Sequence, residues 1–359
     1  MAQMSRALVM PGDGTWELRE LPVPDPAPGG AVLRVEAVGM CHSDVDHMHG
    51  IVHTPWGGAY PSIAGHEIVG RIHALGDGTA ARWGVAEGQR VAVRESVPLP
   101  GGIRVYGHDY AIDERSGLFG GFADYMELLP ETLVEPLPDD IPAAELTVWE
   151  PLAIAVRWAT AVKPGDSVAI LGPGHLGLAS IVAARAAGAE RIFITGTPAD
   201  TLRLGAARTL GVEEAIDISV TDPVERIREL TGDGVHVVID AASGSTATVT
   251  QGMQLARRGG TVVIGGLKDR KPVEGFISDL IPMRQLHLHA GFPGDHVKTS
   301  VELIRQGKVP TADLLGEVVT VDGFGDALRM LSRQLPGRGA HGVGAPGHRG
   351  PLGDRGQAR

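Results

Sequence analysis

Cysteine is nearly absent: among 359 residues there is one, Cys41. A single thiol excludes an intrachain disulfide framework and a four-cysteine zinc knot, and it suits a reducing compartment. Aromatic residues are scarce at 4%. No apolar run approaches the roughly 18 to 20 residues that span a bilayer. The amino-terminal stretch MAQMSRALVMPGDG also lacks the charged and apolar regions of a secretory signal. The expectation is a soluble, cytoplasmic protein with no membrane partner. Basic excess is missing too: 32 Lys and Arg stand against 43 Asp and Glu, a net charge of -11. That balance argues against a nucleic-acid partner, whose binding rests on clustered Lys and Arg.

The chain does have turn formers and apolar residues. With 51 Gly, 25 Pro, 43% apolar and 21% charged residues, it is globular and rich in tight turns. Short apolar or alternating runs bounded by Gly or Pro at 7–10, 31–40, 67–75 and 89–94 predict antiparallel strands. Beyond about Val162 the pattern changes. SVAIL, RIFIT, VHVVID and GTVVIGG alternate with helix-like LGLASIVAARAAG, DTLRLGAARTLG, DPVERIRELTG and VTQGMQLARRGG, the mark of a parallel sheet covered on both faces. The predicted class is α/β, a β-rich domain over 1–152 followed by a doubly wound dinucleotide domain over 153–293. A helix (HVKTSVELIRQGK) and a strand (EVVTV) within 294–336 are expected to rejoin the first domain. Residues 337–359, rich in Gly and with little to bury, read as a flexible tail.

Directly after SVAIL comes Gly172-Pro173-Gly174-His175-Leu176-Gly177, opening an alanine-rich helix. Strand before and helix after is the context in which such a loop cradles a pyrophosphate on backbone N–H groups. The next strand should end in an acid that binds the adenosine ribose, but Gly196 stands there. Without that carboxylate the 2′-phosphate of NADP is not repelled, and Thr197 or Arg203 could reach it. The competing reading is that Gly196 simply turns the chain and Asp200 takes the ribose, as with NAD.

Three further segments carry metal-ligand chemistry: Cys41-His42-Ser43-Asp44, Gly65-His66-Glu67 and Trp149-Glu150-Pro151. A thiolate, an imidazole and a carboxylate are three ligands of the sort zinc takes when the fourth position is left open for catalysis. Taken singly, each is bland: a lone cysteine is usually a small buried hydrophobe.

Together, GMCHSDVDHMHG, AGHEIVG, EPLAIA and GPGHLG, in this order, resemble the zinc-dependent medium-chain alcohol dehydrogenases over about residues 5 to 335. EPLAIA is similar to the form in their polyol and threonine dehydrogenase branch. The resemblance implies a GroES-like catalytic domain beside a Rossmann domain, one catalytic zinc, and hydride transfer between a secondary alcohol and NAD or NADP. It implies that Cys41 and His66 bind the zinc, and that Glu150 is the third ligand or its water-bridged substitute. Glu67 matches a glutamate that binds the metal in some members, Ser43 the hydroxyl that bonds the alcohol oxygen, and Asp44 the carboxylate that orients the histidine ligand. The expected partner is a small alcohol or ketone, and the expected assembly a homodimer or homotetramer.

Three departures accompany the resemblance. Members with a structural zinc carry four cysteines after the RVAV strand, where this chain reads RESVPLPGGIRVYGHDY. The relay histidine expected five residues after the first ligand is Asp46, with His47 next. His47 is the candidate catalytic substitute, although His47 and His49 read by default as solvated loop residues. The chain beyond Pro336 also lacks the closing strand of the family. Two other readings remain at this stage: a zinc-free enone or quinone reductase, and a non-catalytic nucleotide-binding or interaction protein.

Overall fold

The alternating apolar runs of the first 150 residues and the continuous ones beyond them build different sheets. The computed structural model describes residues 3–51, 58–292, 296–332, 334, 343 and 344. They form two compact units: residues up to Thr147 with Glu317–Ser332, and Val148–Gly316.

Up to Thr147 the first unit carries the strands β1 Met4–Met10, β2 Glu17–Pro22, β3 Ala31–Gly39, β4 Ser62–Ile63, β5 Glu67–Leu75, β6 Arg90–Val93, β7 Ser96–Leu99, β8 Gly102–Val105, β9 Tyr125–Leu128 and β10 Val134–Pro136. They pair antiparallel as β2-β1-β4, as β10-β6-β5-β3 with β9 also on β3, and as the hairpin β7-β8. The long β3 and β5 pair ends with Gly39 opposite Glu67, which brings the cysteine and histidine motifs to one edge. Leu8, Met10, Leu33, Met40, Phe119 and Phe122 fill the core, joined by Phe324 from the returning segment.

In the lobe after β6, where the sequence offers no cysteines, side chains make the crosslink. Arg104 makes a two-pronged bond to Glu114, Nη1 to Oε2 at 2.9 Å and Nη2 to Oε1 at 2.8 Å. Its guanidinium lies 3.8 Å from the centre of the Tyr110 ring, a cation–π contact. Tyr110 stacks on Phe119 at 4.7 Å.

The second unit carries six parallel strands, β11 Ser167–Leu171, β12 Arg191–Gly196, β13 Glu214–Asp217, β14 Val235–Asp240, β15 Ala256–Ile264 and β16 His287–Ala290, in the order β13-β12-β11-β14-β15-β16. Every residue of β11 is buried, as a strand covered on both faces requires. The strand order reverses between β11 and β14, the switch point where doubly wound sheets bind ligands.

The structure corrects several boundaries. The division falls at Thr147/Val148 rather than after 152, because the helix Trp149–Trp158 packs on His175–Ala186. Residues up to Gly316 stay with the second unit because Val297–Arg305 packs on Trp149–Trp158, so the return begins at Glu317 and not at 294. EVVTV forms no strand; Val319 and Val321 are instead absorbed by side-chain packing in the first core. ARRGG, read as helix, is the start of β15, since the chain leaves its helix at Leu255 ahead of Gly259, which sits at φ +71°. Of the segment 337–359, expected to be a flexible tail, only Val343 and Gly344 are described. They form a short strand, β17, paired antiparallel with Val38 and Ala37 of β3. Backbone pairing needs no apolar side chains, which is why composition did not signal it. Among the described residues no helix is long and apolar enough to cross a membrane.

Past the carboxyl ends of β14 and β15 lies an ion pair that the sequence reading passed over. Lys268 Nζ lies 2.9 Å from Asp240 Oδ2 and donates to Thr248 Oγ1 at 3.0 Å and to the Ala242 carbonyl. Asp240 is buried, and burial pushes its carboxyl above the usual range against the pull of Lys268. Removing one partner of a buried pair leaves an uncompensated charge, so Lys268→Met should lower stability by about 3 to 5 kcal/mol. Adding Asp240→Asn should recover much of that loss. Urea unfolding of the single and double variants checks it; equal losses in both would show that charge compensation is not what holds these loops.

Candidate active site

Asp44 organises the first unit's polar cluster. The strand β3 ends at Gly39, and Cys41 caps the short helix His42–Met48. At the third helical position Asp44 turns back, its Oδ2 accepting from the Cys41 N–H at 2.8 Å. Its Oδ1 accepts from the Gly65 N–H at 3.1 Å and lies 3.4 Å from His66 Nδ1. One carboxylate thus ties the cysteine motif to the histidine motif. Gly65 sits at φ +89°, where a side chain is strained, and an added Cβ would meet the Phe122 backbone at 3.0 Å.

Around this pin the donors gather. Cys41 shares a hydrogen bond with His66, and Ser43 Oγ lies 3.5 Å from His66 Nε2. The Cys41 sulfur and a Glu67 carboxylate oxygen lie within 4.8 Å of each other. Burial would raise the Cys41 thiol, but the hydrogen bond and charge of His66 bring it below its ordinary value. Burial likewise opposes the charged form of His66, yet Asp44 and Cys41 hold its pKa well above normal. Burial and the neighbouring Cys41 push Glu67 well up. Sulfur, imidazole and carboxylate crowd together where a positive charge is stabilised, and Asp44 takes the Nδ1 side of the ring. That donor set fits zinc, and the carboxylate–histidine contact is the arrangement that orients a zinc-bound imidazole.

Other predicted residues fall as follows. His47 is not the solvated loop residue of the default reading. It is buried, with Nε2 2.7 Å from Ser62 Oγ and Nδ1 3.2 Å from the Tyr60 hydroxyl, and burial pushes its pKa down to about 4. His49 is exposed. Glu150 stands in the first turn of Trp149–Trp158, a helix of the second unit.

In the second unit, Gly172 follows β11 at φ +94° and Gly174 caps the helix His175–Ala186. A Cβ on Gly177 would come within 1.9 Å of the Gly172 carbonyl oxygen, so only glycine lets the helix begin this close to the strand. A Cβ on Gly174 would meet nothing within 4 Å, and His175 and Leu176, both half-buried, make the first turn. Gly196 ends β12, and a Cβ there would meet Pro173 Cγ at 2.9 Å, so its smallness also serves the loop's own packing. Thr197 donates to Asp200 Oδ2 from its hydroxyl at 2.7 Å, and Arg203 Nη1 lies 3.3 Å from Asp200 Oδ1. Both residues expected near a 2′-phosphate therefore lean on a buried carboxylate.

Sequence reasoning missed Gly39 and His108. A Cβ on Gly39 would overlap the Glu67 carboxyl, 1.8 Å from Oε2, so this glycine makes the space the glutamate occupies; the cross-strand pairing that reveals it cannot be read from spacing. His108 Nε2 lies 3.3 Å from His66 Nδ1. Its only sequence signal is a histidine in the cysteine-free lobe.

Comparison with known proteins agrees with this geometry. Residues 27–139 match the family model described as alcohol dehydrogenase GroES-like domain, and residues 176–304 the one described as zinc-binding dehydrogenase. A probable alcohol dehydrogenase of Mycobacterium tuberculosis is 33% identical over 95% of this chain and 98% of its own. The erythritol/L-threitol dehydrogenase of Mycolicibacterium smegmatis is 31% identical over 91% and 94%. Among solved structures, a zinc-binding dehydrogenase of Sinorhizobium meliloti 1021 bound to NADP superposes with a TM-score of 0.82 at 27% identity, covering 95% of this chain and 98% of that one. A pinned cysteine–histidine cluster in a GroES-like unit, a glycine loop at the head of a Rossmann sheet and relatives matched over nearly their whole length agree: the chain belongs to the zinc-dependent alcohol dehydrogenase family.

Proposed function

We propose that this chain interconverts a secondary alcohol of a polyol and the corresponding ketone, using one zinc and NADP or NAD. The observation that carries the reading is the arrangement at His66: Asp44 takes Nδ1, while Ser43 lies at Nε2 and Cys41 bonds the ring. When bound, zinc supplies the Lewis acidity that makes an alkoxide accessible near neutral pH, and the nicotinamide takes the hydride. The rest falls to the chain. Cys41 and His66 hold the metal with a carboxylate as third ligand, Glu67 beside Cys41 in the same unit or Glu150 from the helix Trp149–Trp158. Glu67 is a candidate catalytic group for the same reason.

Ser43 Oγ would accept the alcohol proton while giving up its own hydroxyl proton to the nicotinamide ribose. His47, a neutral imidazole between the hydroxyls of Ser62 and Tyr60, can accept a proton on one nitrogen and release one from the other, which suits it to pass the proton on. Gly172, Gly174, His175, Leu176 and Gly177 receive the pyrophosphate on backbone N–H groups. The polyol class rests on the erythritol/L-threitol relative and on a sorbitol dehydrogenase of Bacillus subtilis, 29% identical over 91% of this chain and 93% of its own; amino alcohols are the second class to try. A reducing, cytoplasmic setting suits the lone thiol, and a homo-oligomer is in keeping with the exposed edge strand β16, whose outer backbone groups can pair with another copy.

Three outcomes test this reading. Elemental analysis should find about one zinc per chain, since one cysteine serves the catalytic site and none remains for a second; two tight zincs, or none, would overturn it. The metal content of Glu67→Gln and Glu150→Gln identifies the third ligand.

Ser43→Ala should keep its zinc and cofactor affinity yet lose about 10² to 10⁴ in kcat, the usual contribution of an acid–base group. The measurement belongs on the best substrate of a panel of polyols, amino alcohols and simple secondary alcohols. A near-normal kcat there sinks the role of Ser43.

NADP should bind at least as well as NAD. Arg203→Leu should weaken NADP about tenfold, 1.4 kcal/mol, and spare NAD. A tenfold preference of the unaltered protein for NAD would instead mean that Asp200 governs this pocket.

A further inference from the structure

We propose that His108, presented by the cysteine-free lobe, is a positioning residue for the zinc ligand His66, sharing with Asp44 the task of fixing that ring through Nδ1. The inference rests on the reading that His66 ligates zinc.

Asp44 alone holds His66 loosely. Its Oδ2 is engaged by the Cys41 N–H at 2.8 Å and its Oδ1 by the Gly65 N–H at 3.1 Å. The remaining approach to His66 Nδ1 is 3.4 Å, beyond the 2.7 to 3.2 Å usual for an N–H···O bond. His108 Nε2 stands at 3.3 Å from the same nitrogen, also just beyond that range, so neither acceptor holds the ring alone and the two share it. With Nε2 of His66 turned to a metal, its one ring proton is on Nδ1, and the carboxylate oxygen and the His108 lone pair are the two acceptors facing it.

His108 is itself well placed for this. Its ring centre is 5.0 Å from that of His66, tilted by 45°, and 5.0 Å from that of His47, edge to face at 86°. His47 in turn is held by Ser62 and stacks on Tyr60 at 4.6 Å. His108 therefore sits between the imidazole of His47, which Ser62 and Tyr60 hold, and that of His66.

Its backbone is equally constrained. The His108 N–H donates to the Val105 carbonyl at 3.2 Å, and the His108 carbonyl accepts from the Ala59 N–H at 3.0 Å. Next to it, Asp109 Oδ2 accepts from the Val105 N–H at 2.8 Å, and Arg104 Nε donates to the Asp109 carbonyl at 3.1 Å. The clasp that closes the lobe thus closes directly on the residue after His108. In this chain the cysteine-free lobe supports the His66 site from behind.

The test compares two near-isosteric variants of the full chain. His108→Phe keeps a ring between His47 and His66 but has no acceptor, while His108→Gln restores an acceptor near the place of Nε2. Zinc dissociation constants come from chelator competition, with the melting temperature as a check on folding and the NADP dissociation constant as a control. Partners behind metal ligands typically contribute about 10- to 100-fold in metal affinity. His108→Phe should weaken zinc on that scale, His108→Gln should recover most of the loss, and NADP binding should be unchanged in both. Full zinc affinity in a folded His108→Phe protein, or equal losses in both variants, would overturn the proposal. Failure of the underlying reading looks different: zinc affinity of the unaltered protein would then be absent or indifferent to His66→Ala.

Discussion

One buried carboxylate, that of Asp44, is the constraint on which the catalytic unit depends. It joins the turn after β3 to the turn before β5 by accepting the N–H groups of Cys41 and Gly65, and its Oδ1 also faces His66. A carboxylate this buried would ordinarily favour its neutral form, and burial acts in that direction. His66 and His108 nevertheless keep its pKa below the usual carboxylate value. The charge that organises the backbone is thus sustained by the imidazoles it organises. The interaction is reciprocal: the carboxylate accepts from both loops, and the loops bring to it the histidines that favour its charged form.

Close packing then decides where the remaining donors can stand. Gly39 faces Glu67 across the β3 and β5 pair and leaves room for its carboxyl. Gly177 lets the helix after β11 start against the carbonyl of Gly172, and Gly196 leaves room for Pro173 of the same loop. These glycines serve close approach more than turning, so the high glycine content is partly a signature of crowding at the sites.

How much of this was legible in the sequence follows from the range of each interaction. β5, β11 and β14 match their predicted runs residue for residue, because each is a local apolar pattern bounded by turn formers. Cys41, Ser43, Asp44 and His66 come together because two of them share a helical turn and Asp44 reaches the others through backbone N–H groups. What escaped depends on tertiary pairing. Gly39 matters only because Glu67 lies across the ladder, His108 only because a lobe folds back on His66, and Lys268 only because its loop meets Asp240. The short strand Val343–Gly344 escaped for a related reason, since a backbone ladder leaves no mark in composition. His47 was misjudged in the opposite sense: it stands among polar residues in the sequence, but Tyr60 and Ser62 enclose it.

The scarcity of cysteine makes sense at the level of the lobe. A two-stranded hairpin such as β7-β8 is marginal by itself, and Val97, Tyr106 and Tyr110 anchor this one and the turn after it in the first core. Here the crosslink is the Arg104–Glu114 bond over the Tyr110 ring, extended inward by the stack of Tyr110 on Phe119. Such a clasp differs in kind from a metal knot: it involves no thiolate and is insensitive to metal supply. Glu114 holds the Arg104 guanidinium in its charged form; the half-buried pair is shielded in part from the salt that screens a surface ion pair. With the lobe held this way, the one thiol of the chain stands in the cluster around His66.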